Sequence, residues 1–250
     1  MRENETEQNI VFGIHPVIEA IEAGKEIEKV FLKKGTDNPA IADIKRTLKG
    51  KRIPFQEVPQ EKLFRLTRKN HQGVIALLSP IEYQNFDEVV RRVIEAGKAP
   101  LVLVLDRVSD VGNFGAICRS AECAGVDAIL IPIKGSAQIN SYAVKSSAGA
   151  IFNIPICRTG HILSEVRQLQ DSGLKIFACS EKGEDTIYKA DFSGPLAIIM
   201  GSEDDGIGDG LLEISNTHLN IPMAGATASL NVSVATGIIL FERLRQLSDA

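Results

Sequence analysis

Five polar residues between positions 113 and 231 are of types, and at spacings, that could do chemistry: Asn113, Arg119, Glu203, Ser229 and Asn231. Asn113 and Arg119 lie in DRVSDVGNFGAICR, which follows the apolar run Leu101–Leu105. Asn113 suits a helix N-cap, and Arg119 lies off the apolar stripe Ile117, Ala121, Ala124. A capped helix with one surface Arg explains this spacing by itself. The functional reading is an Arg and an Asn beside a helix N-terminus, a setting that suits binding a phosphate or orienting a hydroxyl.

Glu203 lies in GSEDDGIGDG, residues 201–210, which holds four glycines. A flexible acidic turn is the plain reading. A dinucleotide loop fits poorly, because the GxGxxG spacing is absent and the carboxylates would repel a pyrophosphate. Such a fingerprint also belongs to the first strand–helix turn rather than to the end of a chain. An acidic glycine loop better suits a neutral or cationic ligand approached closely by backbone. Ser229 and Asn231 lie in PMAGATASLNVSVA, a run of small residues that enters a Ser-capped helix or forms a second wall of the same pocket.

These segments need strand ends to hold them. Strands are expected at Leu101–Leu105, Ala128–Ile131, Ile154–Ile156, Lys175–Cys179, Leu196–Met200 and His218–Ile221. Helices between them are expected over Phe86–Ala96, Asn113–Ala124, Ser141–Ser147 and Ile162–Gln170, with a turn at Leu211–Ile214 and a closing helix over Leu230–Leu247. That alternation predicts an α/β fold with a parallel sheet, whose ligands sit at the carboxyl ends of strands. The first third reads as a separate small α/β unit. It has strands at Val30–Leu32, Ile53–Val58 and Val74–Leu78, a helix from His15-Pro16 to Gly24, and helices Ala40–Leu48 and Gln60–Leu66. The organisation expected is therefore 8–80 as the small unit, 81–99 as linker and first helix, and 100–250 as the larger domain.

The chain has 250 residues, 44% hydrophobic and 24% charged, with mean hydropathy +0.03. These values exclude a largely disordered chain. The longest apolar run, Ala99–Leu105, is far below the roughly eighteen residues of a membrane span. The start MRENETEQN lacks a secretion signal's apolar stretch, which points to the cytoplasm. The four cysteines have neither zinc nor disulfide spacing, so no metal is expected and they read as small buried hydrophobes. Net charge is −4, but it is uneven: residues 8–80 carry 13 Lys and Arg against 8 Asp and Glu, a balance of +5. A basic unit is thus joined to an acidic domain.

Together, in this order, the Asn113/Gly115/Arg119 segment, GSEDDGI and IPMAGATASLNVSVA resemble the three motifs of the SpoU (TrmH) family of the SPOUT superfamily. The resemblance covers residues 100–247. VFGIHPVIEAIEAG and HQGVIAL look like the small RNA-binding domain of the family's RlmB-type members. The resemblance implies transfer of a methyl group from S-adenosylmethionine to a ribose 2′-hydroxyl of RNA. It implies a C-terminal domain knotted as a deep trefoil, and homodimers in which an Arg of one subunit serves the partner's pocket. Gly201, Ile221 and Leu230 would hold the adenosine part, with Met223 and Leu230 flanking the adenine. Arg119 would lie nearest the hydroxyl, Asn113 would position it, and Glu203, Ser229 and Asn231 would complete the hydrogen-bond network. Lys33, Lys34, Arg68, Lys69 and His71 would contact RNA, with His15 and His71 otherwise local hydrogen-bonders. The small domain favours ribosomal over transfer RNA, and a guanosine of the large-subunit (23S) RNA. An inactive RNA-binding protein of this fold and a nucleotide-dependent oxidoreductase are the competing readings. Two departures stand out: Val111 where the family usually has Pro, and Asp204 and Asp205 where its loop usually has Gly.

Overall fold

The computed structural model describes residues 10–248. The polar start at residues 1–9, and the expected unit boundary at residue 8, lie outside the described residues. The chain divides into two compact units: residues up to 82 with 139–141, and residues 83–138 with 142 onward.

The first unit runs β1 (Ile10–Phe12), α1 (Ile14–Glu22), β2 (Ile27–Lys33), α2 (Pro39–Gly50), β3 (Phe55–Val58), α3 (Gln60–Leu66) and β4 (Val74–Leu78). Its four-stranded sheet has the order β1-β4-β2-β3. Strand β4 is antiparallel to both neighbours, while β2 and β3 are parallel. Helix α2 starts behind Asn38, whose side chain accepts the Ala40 N–H at 3.0 Å, with Pro39 at the first helical position. Both features favour initiation there. One sheet face, with Val30, Leu32, Val74 and Ala76, is covered by apolar residues of α1 and α2. The other, with Phe31, Val58 and Ile75, is covered by Leu63 and Leu66 of the short α3.

The second unit contains α4 (Phe86–Glu95), β5 (Leu101–Asp106), α5 (Val111–Cys123), β6 (Ala128–Pro132), α6 (Ser141–Ser146), β7 (Ile156–Thr159) and α7 (Ile162–Asp171). It continues with β8 (Lys175–Cys179), β9 (Asp185–Thr186), β10 (Leu196–Gly201), α8 (Asp209–Ile214), β11 (Thr217–Asn220) and α9 (Val232–Ser248). The seven strands pair in parallel in the order β7-β6-β5-β10-β8-β11-β9. Every residue of β5 is buried. That explains its unbroken apolar run Leu101–Leu105, since helices cover both sides of a parallel sheet. Val102 and Val104 pack with α4, α7 and α8; Leu101, Leu103 and Leu105 alternate to the other face.

Several expectations are corrected. Asn113 is not the N-cap of α5. Asp110 is: its backbone is extended, and its Oδ1 accepts the Asn113 N–H at 2.7 Å. Val111 therefore starts the helix, at the position where Pro is otherwise favoured. The closing helix begins at Val232 rather than Leu230. Asn231 caps it, accepting the Ser233 N–H at 3.0 Å, and Ser229 stands outside it. The strand placed at Ile154–Ile156 runs from Ile156 to Thr159, and Ile221 lies just past the end of β11. Cys118, Cys157 and Cys179 are buried, but Cys123 is exposed. Burial pushes the Cys118 thiol up, and those of Cys157 and Cys179 up to about 12, which leaves these three chemically quiet. Among the described residues no helix is long and apolar enough to cross a membrane.

Candidate active site

The register between β10 and β5 sets Gly201 beside Asp106, so the glycine loop and the α5 segment leave the sheet side by side. Strand β11 pairs with β8, which neighbours β10, and delivers the third segment to the same end of the sheet. All three segments thus meet at the carboxyl ends of strands, where open parallel sheets bind ligands.

Glu203 is the point of convergence. Its Oε1 accepts from Asn113 Nδ2 at 3.0 Å, from Asn231 Nδ2 at 2.8 Å, and from the Val232 N–H at 3.5 Å. Asn231 Nδ2 also donates to Asn113 Oδ1 at 3.0 Å, and the Ser233 hydroxyl donates to Asn231 Oδ1 at 2.6 Å. One carboxylate oxygen therefore ties the first turn of α5 to the first turn of α9. A carboxylate so close to helix N-terminal N–H groups is electrostatically favoured.

A cavity of about 310 Å³ adjoins this network. Gly201, Ile221, Met223 and Leu230 all line it, as do Glu203 and Ser229. Asn113, Asn231 and Arg119 are not among the lining residues. The cavity also has residues that the sequence reading missed: Cys179, Ser180, Glu181 and Lys182 at the end of β8. Their signal was the buried run 175–179 followed by SEKGED, another strand end of the same kind. The lining combines Met200, Leu219, Ile221 and Ile239 with the carboxylates Glu181, Glu203, Asp204 and Asp205. That mixture suits a ligand with both an apolar part and a positive charge.

The acidic loop is built, not slack. Ser202 and Gly206 exchange backbone hydrogen bonds at 3.2 and 3.0 Å, and the Ser202 hydroxyl accepts the Asp205 N–H at 3.0 Å. Gly201 is required by this turn itself: a Cβ there would lie 2.2 Å from the Gly206 carbonyl carbon. Asp106, the last residue of β5, is buried; it accepts the Gly208 N–H at 2.8 Å and both Nε and an Nη of Arg107 at 3.0 Å. Arg107 reaches on to Asp205 and to the Gly206 carbonyl, each at 3.3 Å. Hydrogen bonding to Asp106 raises the Arg107 pKa above its ordinary value. The departure at Asp205 is thus matched by a cation, which holds the turn on the end of β5. Arg107 adopts the left-handed region to do this, at φ 59, a conformation uncommon outside Gly.

Arg119 lies on the exposed side of α5, two turns from Asn113, and the structure shows no polar partner for it among the described residues. At Gly115, one turn before Arg119, a Cβ would meet Ser146 Oγ at 1.9 Å and the Ala143 carbonyl oxygen at 2.7 Å; the glycine is there for packing against α6. Among the described residues no group of three or more His, Cys, Asp or Glu could hold a metal ion.

A parallel sheet with a cavity at the loop after its central strand, closed by the last helix, defines a cofactor-binding α/β enzyme domain. Comparison with known proteins makes this specific. The model of the SpoU rRNA methylase family matches residues 100–241, and that of the RNA 2′-O ribose methyltransferase substrate-binding domain matches residues 10–84. A Staphylococcus epidermidis protein named as a TrmH family tRNA/rRNA methyltransferase is 36% identical over 243 residues, 96% of each chain. Among solved structures, the AdoMet-bound rRNA methyltransferase from Sinorhizobium meliloti has TM-score 0.60 and 27% identity, over 96% of this chain and 87% of that one. The A. aeolicus TrmH/SpoU tRNA modifying enzyme has TM-score 0.56 and 27% identity, over 65% of this chain and 85% of that one. The chain belongs to the SpoU family of S-adenosylmethionine-dependent RNA methyltransferases.

Proposed function

We propose that the protein methylates a ribose 2′-hydroxyl of large-subunit ribosomal RNA, at a guanosine, with S-adenosylmethionine held in the cavity at the end of β10. The observation that carries this is the Asn113–Glu203–Asn231 network bordering a cavity lined by Gly201, Ile221, Met223, Ser229 and Leu230. When bound, the cofactor supplies an electrophilic methyl carbon on a cationic sulfur. The chain's task is then to place a hydroxyl in line and remove its proton. The carboxylates of the 203–205 loop suit the positive charge. Met223 and Leu230 suit the adenine faces, and backbone near Gly201, Ile221 and Leu230 reads its edges.

Arg119 orients the 2′-hydroxyl and its neighbouring phosphate, since a guanidinium is a donor and not a base. Glu203 holds the framework through Oε1, which accepts from three donors, and we assign the hydroxyl proton to water or phosphate. Arg119 stands outside the cavity, next to an open groove between α5 and α9 that includes Ala116, Gly237, Ile238 and Phe241. Val234 and Phe241 are half exposed on α9. We read this face as a homodimer surface through which Arg119 serves the partner's pocket. The segment after β10, which runs to α9, is the part we assign to the trefoil knot.

Residues 8–80 form the RNA grip, with Lys33, Lys34, Arg68, Lys69 and His71 on it, ahead of a linker at 81–99 and the catalytic domain at 100–250. Ribosomal RNA is favoured because the rRNA enzyme of S. meliloti matches nearly the whole chain, whereas the tRNA enzyme of A. aeolicus matches 65% of it. Four free thiols suit the cytoplasm. The test is methyl-labelled S-adenosylmethionine with ribosomal and transfer RNA, followed by mapping of ribose methylation. Label in a 2′-O-methylguanosine of the large-subunit RNA is expected. Label in transfer RNA alone would move the substrate assignment, and label in neither would remove the activity.

A further inference from the structure

We propose that Phe64, backed by His71, is a stacking platform for an unpaired RNA base on the first unit. The inference rests on the reading of that unit as the RNA grip and deepens it. Phe64 is the one large apolar side chain that stands exposed among the described residues of this unit, at 47%. The α3 helix explains why: Leu63 and Leu66 take the inward positions against Phe31 and Ile75, which leaves the Phe64 ring pointing elsewhere. That ring meets the His71 imidazole edge-on, with centroids 5.2 Å apart and planes at 64°.

His71 is held rigidly. Its Nδ1 accepts the Gly73 N–H at 3.0 Å, and the backbone on either side is fixed. The Gln72 side chain caps the start of α1 by accepting the Ile14 N–H at 3.1 Å, and Lys33 N–H bonds to the Gly73 carbonyl at 2.8 Å. An Nδ1 that accepts fixes the neutral tautomer with the proton on Nε2. That Nε2–H is buried and has no acceptor among the described residues. A buried donor without a partner is unfavourable, so it marks a place where the unit is not optimised for its own stability.

Charge selects the occupant. Residues 60–72 hold Lys62, Arg65, Arg68 and Lys69 against the single acid Glu61. Cations on the same helix and the segment that follows it, near one exposed ring in sequence, fit a single-stranded nucleic acid, whose bases stack and whose phosphates pair. A protein partner would need a broader apolar patch than one ring.

The chain contains no Trp, so Phe64→Trp introduces a unique fluorophore at the site. Titrated with a short unlabelled single-stranded RNA of mixed sequence, this full-length variant should be quenched saturably. Phe64→Leu should bind the same RNA, fluorescein-labelled, about five- to hundredfold more weakly than the unaltered protein, the span of one stacked base. Its salt dependence should stay unchanged, whereas Lys69→Ala should lower the salt slope by about one phosphate. Equal affinity of Phe64→Leu and the unaltered protein, or an unquenched indole at saturating RNA, overturns the stacking site alone. If the unaltered protein fails to bind the RNA, the reading of the unit as an RNA grip falls with it. Quenching by an acidic protein in place of RNA would reassign the surface and overturn the proposal.

Discussion

At the scale of single residues, Glu203 uses its two carboxylate oxygens unequally. Oε1 receives three donors, and Oε2 has no partner among the described residues. Glu203→Gln can keep its carbonyl oxygen where the donors converge, so the framework survives and only charge is lost. Glu203→Ala removes the acceptor and leaves Asn113 and Asn231 without their common partner. We expect methyl transfer to fall about tenfold or less in the first variant and a hundredfold or more in the second, as for loss of a positioned group. Equal losses in single-turnover assays would instead make Glu203 the proton acceptor. His71 gives a pH test at the same scale. Burial, followed by nearby Lys33, holds its imidazole below the ordinary range. The folded first unit then binds fewer protons than the unfolded chain once pH falls below about 6.5. Its stability should be level above that value and decline below it. Denaturant titrations of unaltered protein and His71→Asn, compared between neutral and mildly acid pH, should show the slope only in the former.

At the scale of elements, two close approaches decide how the site is held. Helix α5 lies on α6 through Gly115, so Gly115→Ala should cost about 1–3 kcal/mol by overpacking. The melting temperature should fall by roughly 2–4 °C for each kcal/mol, measured by thermal unfolding. The loop after β10 is fastened by Arg107. Arg107→Ala leaves the buried Asp106 carboxylate with the Gly208 N–H as its remaining hydrogen bond and frees Asp205. Calorimetry should show a weaker complex with S-adenosylmethionine, by a factor of roughly ten to a hundred if a buried charged partner is lost. An unchanged affinity would mean the loop holds its shape unaided. Much of the element level was legible in sequence. Unbroken runs such as Leu101–Leu105 and Leu196–Met200 announce strands buried on both faces, and capped periodic runs announce helices. The ends were less legible. Asp110 and Asn113 are both good caps three residues apart, and only the backbone shows which one is extended. Strands of two and three residues, β9 and β1, carry no period to read. The Asp106–Arg107 fastening joins positions about a hundred residues apart, and no local pattern contains it.

At the scale of the whole molecule, the apolar face of α9 beside Arg119 predicts a shared active site. If Arg119 serves a second copy, Arg119→Ala and a variant with a blocked cavity, Gly201→Val, are each inactive alone. Mixed and allowed to exchange subunits, they should regain part of the activity, because one pocket of the hybrid is intact. A mixture that stays dead while sedimenting as a dimer would place Arg119 in its own pocket. The strand order carries a further consequence for how this chain is made. Strands β5 and β8 flank β10 and do not pair with each other. While the ribosome is still translating, the half-sheet β7-β6-β5 can assemble, but the open side of β5 waits for β10. At synthesis rates of about 5–20 residues per second, that edge stays bare for several seconds after β5 emerges. It is fully buried and apolar, the kind of edge that recruits unwanted strands. The nascent protein should therefore lean on chaperones late in its synthesis, and cofactor should meet a finished pocket only after the last helix has left the ribosome.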